Sequence, residues 1–173
     1  MYNVASIRQA IRPPGLGMGL LTLEVDMSGG RDYALEILIQ KLLNESVSEW
    51  VTFIGENTTA VGMGQLVHGL SHCGLKVEIE PAEDVKDPGW VHTVDRWVIT
   101  YRINSPFNHF ILRAHDALKF EVREVEDLEI TRQGLEKLRL SPSAKYIYLL
   151  NKRLYKDAVE VVKEFPKLRL FTR

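Results

Sequence analysis

The chain has 173 residues, with 22 basic and 23 acidic side chains, a formal charge of -1, 45% hydrophobic and 26% charged residues. That bulk suits one folded domain with a sizeable core, taken here as 1–173, and the balanced charge gives no global attraction to nucleic acid or an anionic membrane. The single cysteine, Cys73, excludes an intramolecular disulfide and a thiolate-only metal cluster built by one chain.

The opening MYNVASIRQAIRPPG lacks the basic start and long apolar core of a signal peptide. No apolar run approaches the ~20 residues that span a bilayer. A cytoplasmic location is the expectation. Residues 1–19 read as irregular, with SIRQAI as a short helical turn ended by RPPG. LLTLEV, 20–25, reads as a buried strand, and DMSGGRD as a turn in which Asp26 or Ser28 caps the next helix. That helix is expected over 31–43, with Tyr33, Ala34, Ile37, Leu38 and Leu42 on one stripe. WVTFIG, 50–55, is the second strand, ENTTA a loop, and VGMGQLVHGLSHC holds the second helix.

LKVEIEP, 75–81, alternates at period two and reads as a strand closed by Pro81. PAEDVKDPG is a polar loop, and WVITY, 97–101, the next strand. FNHFILRAHDA reads as a short helix or irregular turns, and LKFEVRE, 118–124, alternates again. A short helix over 131–138, a strand over 145–150, an amphipathic helix over 152–165 and a last strand, LRLFTR, complete the chain. About seven strands alternate with helices over short connections. That order predicts an α/β fold with a mostly parallel sheet covered by helices. A full eight-unit barrel needs ~250 residues, so the sheet is open or an incomplete TIM-like barrel.

In such folds ligands bind beyond the carboxyl ends of the strands. Those ends are rich in charge: Glu24 to Asp26, Gly55 to Asn57, Glu78 to Glu80, Thr100 to Arg102 and Glu121 to Arg123. A parallel sheet puts them on one rim.

The series strand, GE-loop, helix, GLKVEIEP, DRWVITYR, DALKFEVREVED, strand, helix and LRLFTR resembles the core of the radical S-adenosylmethionine enzymes over roughly residues 15–173. The nearest group is the 7-carboxy-7-deazaguanine synthases. The resemblance implies a partial barrel. It also implies that Ile54-Gly55-Glu56-Asn57 stands where the family's Gly-Gly-Glu-Pro motif receives the methionyl amine of the cofactor. Glu78-Ile79-Glu80-Pro81 stands for Glu-Thr-Asn-Gly, Asp95 to Arg102 for the Asp-Trp-Val strand, and Asp116-Ala117-Leu118-Lys119-Phe120 for Asp-Glu-Leu-Lys-Phe. Arg169 to Arg173 fall where that family shapes the substrate end. One departure bears on mechanism. The family holds a four-iron cluster on three cysteines after its first strand, whereas Asp26-Met27-Ser28-Gly29-Gly30 stands here. Cluster ligands must be soft thiolates. The expectation is therefore a degenerate site: no cofactor, no iron–sulfur cluster and no reductive cleavage of S-adenosylmethionine, with simple binding of that molecule as a weaker option.

The candidate ligand-binding residues are Gly55, Glu56, Asn57, Glu78, Glu80, Arg102 and Lys119; no catalytic residue is assigned. Glu56 follows a buried strand and is suited to an ammonium or a ligand hydroxyl; otherwise it caps the next helix or meets solvent. Glu78 and Glu80 share a face, so they suit a cation or an acid of raised pKa. The plainer reading pairs them with Lys76, Lys119 or Arg123. His68, His72 and Cys73 have zinc-ligand chemistry without a fourth partner, and His115-Asp116 would be an oriented base only if adjacent residues faced each other. No metal is expected. Ser105 and Ser141 precede prolines and read as turns. PPGLGMG has only the glycine content of a phosphate loop, with Arg8, Arg12 and Arg31 adding positive charge nearby. Trp50, Trp90 and Trp97 read as core or subunit packing. The leading expectation is a non-radical protein that binds a small polar ligand or a protein partner, as a homo-oligomer, with no nucleic acid and no membrane. The alternatives are a non-radical enzyme using Glu56, Glu78 and Glu80, and a structural oligomer.

Overall fold

A computed structural model describes residues 1–13, 20–82, 89–103, 113, 115–138 and 144–172, with the side chain of Val91 excepted. Its strands are β1 (Tyr2–Arg12), β2 (Leu20–Tyr33), β3 (Trp50–Gly55), β4 (Lys76–Pro81), β5 (Arg96–Thr100), β6 (Ala117–Val122), β7 (Ala144–Leu149) and β8 (Leu168–Thr172). Four α-helices lie among the described residues: α1 (Leu35–Glu45), α2 (Met63–His72), α3 (Val125–Lys137) and α4 (Tyr155–Glu164). Hydrogen bonding joins the eight strands in chain order, an open series from β1 to β8. Only β1–β2 is antiparallel; every later pairing is parallel. The α/β class and the mostly parallel sheet are as the alternation of strands and helices predicts.

The first 12 residues differ from expectation. SIRQAI is strand, not a helical turn, because β1 pairs along β2 from Tyr2↔Tyr33 to Arg12↔Leu20. Ile7 and Ile11 are four apart, which mimics a helical stripe, but extended backbone puts Arg8 opposite Glu24. DMSGGRD is likewise not a turn: β2 runs on to Tyr33. Gly30 takes φ +110°, and a Cβ there would lie 2.3 Å from the Val4 carbonyl oxygen. The glycine permits the close backbone approach beside the bulge at Val4/Ser6. Asp26 and Ser28 therefore cap no helix. Asp26 instead accepts the Ser28 amide at 2.9 Å and its hydroxyl. The helix begins at Leu35, so Arg31 to Tyr33 are strand.

Contacts divide the chain into two compact units, one of Met1–Arg12 with Gly19–Trp97 and one of Pro13–Met18 with Val98–Arg173. In the first, one face of the strands is apolar: Leu23, Val25, Val51, Phe53, Val77 and Ile79 are buried together with Leu38 and Leu42 of α1 and Leu66 and Leu70 of α2. These helix residues recur at i, i+4, the spacing that stacks side chains on one helix face. The second unit repeats the scheme with a core of Leu118, Phe120, Val122, Ile147 and Leu149 against Leu128, Leu135, Ala158 and Val161. There α3 starts three residues after its strand. Glu124 and Asp127 form a capping box, with Asp127 accepting the Glu124 amide at 2.9 Å. The predicted helix over 131–138 thus begins earlier, at Val125.

Candidate functional site

Because strand side chains alternate, burying Leu23, Phe53 and Ile79 against helices turns their neighbours to the other face. In the first unit Glu24, Thr52, Glu78 and Arg96 stand in register across β2, β3, β4 and β5. Asp26, Ile54 and Glu80 form the next row toward the carboxyl ends. Glu24, Thr52, Glu78 and Arg96 are all buried. An isolated carboxylate there would cost several kcal/mol, so each needs a cation.

Arg12 supplies much of that compensation. Its Nε donates to Glu78 Oε1 at 2.9 Å, its Nη1 to Glu24 Oε2 at 2.9 Å, and its Nη2 to Glu80. The Arg12 side chain is 11% exposed and that of Glu78 is 0% exposed. Arg96 Nε lies 2.6 Å from Glu78 Oε2, an ionic contact outside the angle of a directed hydrogen bond. Thr52 Oγ1 donates to Glu78 Oε1 at 3.3 Å and shares a 2.8 Å hydrogen bond with Thr22. Arg8, at the outer edge, donates from Nε to Glu24 Oε1 at 2.9 Å, which raises the pKa of its guanidinium above the ordinary value.

Glu78 and Glu80 are therefore brought together, as their spacing predicts. Arg12 meets both, and Arg96 meets Glu78, two cations that the expected set of Lys76, Lys119 and Arg123 does not include. Lys76 pairs with Glu49 at 2.8 Å, and Lys119 with Glu121 at 3.0 Å. Arg12, Glu24 and Arg96 were missed as a group because a guanidinium reaching across strands leaves no mark of local spacing. Period-two reading of Ser6, Arg8, Ala10 and Arg12 was the available signal.

Gly55 to Asn57 end β3 in the same unit. Gly55 has φ +104°, and a Cβ would meet the Ser28 nitrogen at 3.0 Å and Asp26 Oδ1 at 3.1 Å. Glu56 opens a short 3-10 turn, Glu56–Thr59, and is exposed. Asn57 Nδ2 donates to the Met27 carbonyl at 2.9 Å, and the buried Thr58 hydroxyl donates to the Gly55 carbonyl at 3.0 Å. The Tyr2 hydroxyl donates to the Gly62 carbonyl at 2.6 Å. Both ends of the loop that carries Glu56 are thus held by the β1–β2 pair. Trp90 stacks on buried Trp97 with ring centroids 5.9 Å apart, over Gly64.

Arg102 and Lys119 belong to the second unit. Arg102 is exposed and lines a cavity of about 260 Å³ with Tyr101, Phe120, Glu121, Asp127 and Thr131. Lys119 is buried, lies opposite Thr100 and Tyr146 in register, and stands 5.6 Å from the Tyr148 ring centroid. Asp116 is buried and accepts hydrogen bonds from the backbone and side chain of Arg113.

His68 and His72 are exposed on α2 with rings 5.6 Å apart, and Cys73 is exposed at its end. Among the described residues no three metal-ligating side chains assemble. PPGLGMG from Pro14, Ser105, His109 and Ser141 lie outside the described residues.

No family profile and no curated protein sequence matches the chain. A solved structure does: QueE from Escherichia coli, a 7-carboxy-7-deazaguanine synthase of the radical S-adenosylmethionine class, aligns with a TM-score of 0.70 at 13% identity, over 99% of this chain and 93% of that one. The chain thus has a radical-S-adenosylmethionine-like α/β fold.

Proposed function

We propose that the chain is a non-radical binding protein on this scaffold, taking a small polar ligand at the strand-end rim of its first unit through Gly55, Glu56 and Asn57. The observation that carries the reading is the buried charged row of Glu24, Thr52, Glu78 and Arg96. A sheet serving only as scaffold is more cheaply filled with apolar side chains on both faces, since replacing a buried ion pair by packed hydrophobic groups is often neutral or stabilising. Retained charge below an exposed Glu56 fits a ligand with hydroxyl or ammonium groups.

The residues after the first parallel strand do not fit an iron–sulfur cluster. Asp26, Met27, Ser28, Gly29 and Gly30 offer no thiolate, Met27 is buried, and Met27 to Gly30 lie within β2 at the register shift between Ser6↔Asp26 and Val4↔Arg31. The chain's one cysteine, Cys73, ends α2. A purely structural reading has one observation in its favour: among the described residues Arg8, Arg12 and Arg96 each form an ion pair with Glu24, Glu78 or Glu80.

Native mass spectrometry of anaerobically prepared protein separates these readings. The expected result is a chain without iron and with a retained or added small polar species, weakened by Glu56→Gln. A chain that holds four iron atoms overturns the non-radical reading. A ligand-free chain whose mass is unchanged by S-adenosylmethionine and by a panel of polar metabolites favours the structural one.

A further inference from the structure

We propose that Glu24, Glu78 and Glu80 form a guanidinium site that the chain fills with its own Arg12, and that this site takes a free monoalkylguanidinium when Arg12 is shortened. This concerns the interior of the charged face and stands whether or not the rim binds a ligand.

The geometry is that of a bound ligand rather than of a surface ion pair. Arg12 comes from β1, which pairs with β2 alone, yet it meets carboxylates on both β2 and β4. Each of its three nitrogens has a different carboxylate: Nε has Glu78, Nη1 has Glu24 and Nη2 has Glu80. A planar fork with fixed donor directions can do this; a lysine ammonium, a point charge, cannot divide its donors in the same plane. The carboxylates are nearly dry, with side-chain exposures of 6% for Glu24, 0% for Glu78 and 15% for Glu80. Independently, Oε2 of the wholly buried Glu78 accepts no directed hydrogen bond among the described residues, although the Arg96 Nε lies 2.6 Å from it. The wall therefore has acceptor capacity that Arg12 and Arg96 do not fully use. Removing the Arg12 side chain would take a guanidinium from two buried carboxylates, Glu24 and Glu78, and from the partly buried Glu80, while Arg8, which also meets Glu24, is 66% exposed. A small planar cation is the species whose donors match that vacancy.

The test is chemical rescue. Arg12→Ala should unfold at a temperature several degrees below the wild type. Methylguanidinium chloride at low millimolar concentration should raise its midpoint saturably, as binding to the folded state alone requires. Sodium chloride and tetramethylammonium chloride at equal ionic strength should not. The double variant Arg12→Ala, Glu78→Gln should lose most of the response, and the wild type should show none. Equal responses to sodium and methylguanidinium, or no response, overturn the proposal. Should Arg12→Ala not fold alone, recovery of soluble protein on refolding with methylguanidinium but not with sodium supports it, and equal failure in both overturns it. The intact chain gives a second reading by nitrogen-resolved NMR. The Arg12 Nε–H should exchange with water at least tenfold more slowly than that of Arg8, and comparable rates would sink the idea.

Discussion

The first unit presents the row Glu24, Thr52, Glu78 and Arg96 on the face turned away from its helices, and the second presents Thr100, Lys119, Tyr146 and Arg169. In the first, carboxylates are balanced by arginines from β1 and β5. In the second, one buried lysine sits between Glu121 and the Tyr148 ring, while Tyr146 meets Phe171 edge-on with centroids 5.6 Å apart. Val98, Ala117, Ala144 and Tyr146 form a small buried cluster there. Two solutions to covering one sheet face are thus present in one chain. A charged face is stable only when its partners are complete, so each member depends on the others. An aromatic face tolerates losses one at a time, because ring contacts and area burial are distributed.

The largest difference should appear on removing one charge from each face. Glu78→Gln leaves Arg12 and Arg96 without their shared buried carboxylate and is expected to cost ~3–5 kcal/mol. Lys119→Met keeps the stem packed and removes one pair whose acid, Glu121, is a third exposed, with an expected cost below ~2 kcal/mol. Urea unfolding of both variants measures the gap. Equal costs would mean that the first face is not a coupled network.

The unequal legibility of the two faces follows from the same chemistry. Alternation of LKVEIEP and LKFEVRE showed β4 and β6, and with them that Glu78, Glu80 and Lys119 lie opposite the apolar stripe. Parallel order followed from strand–helix alternation alone. The strand β1 was not legible, because Ile7 and Ile11 also fit a helical turn and Gly29-Gly30 also fit a loop. What decides them is tertiary: the ladder to β2, and the approach of Gly30 to Val4. With β1 unread, Arg12 is not placed, and the sequence offers Lys76, Lys119 or Arg123 as partners for the glutamates. Long side chains choose partners through space, and sequence distance carries no record of a 66-residue separation such as Arg12–Glu78.

A middle-sized effect sharpens the comparison at the strand ends. In the first unit the turn after β3 is wedged against β2. Gly55→Ala places a Cβ 3.0 Å from the Ser28 nitrogen in a backbone region that disfavours side chains. It should cost ~1–3 kcal/mol. Gly74 has φ +85° with nothing within 4 Å of an added Cβ, so Gly74→Ala isolates the backbone term and should cost less. Thermal midpoints of the two variants give the difference, and equal losses would show that the wedge against Ser28 adds nothing.

The smallest effect belongs to the surface of the second unit, where Arg132 of α3 grips Glu164 of α4 with its Nη2 3.0 Å and its Nε 3.1 Å from the carboxylate oxygens. The hydrogen bond to Arg132 lowers the Glu164 carboxyl below its ordinary 4.5. A depressed folded-state pKa means that the stabilisation is fully present above the unfolded value and fades as pH falls through the lower, folded one. Both groups are solvent-exposed, so salt should screen the pair far more than it screens Arg12 within its carboxylates. Carbon-detected NMR titration should find the Glu164 midpoint below 4.5 in dilute buffer, returning toward 4.5 in Arg132→Gln or in molar salt. A midpoint indifferent to both changes would show that the helix pair is held by Leu128, Leu135, Ala158 and Val161 alone, leaving the buried arginine of the first unit as the contrasting case in which geometry and desolvation give an ion pair its strength.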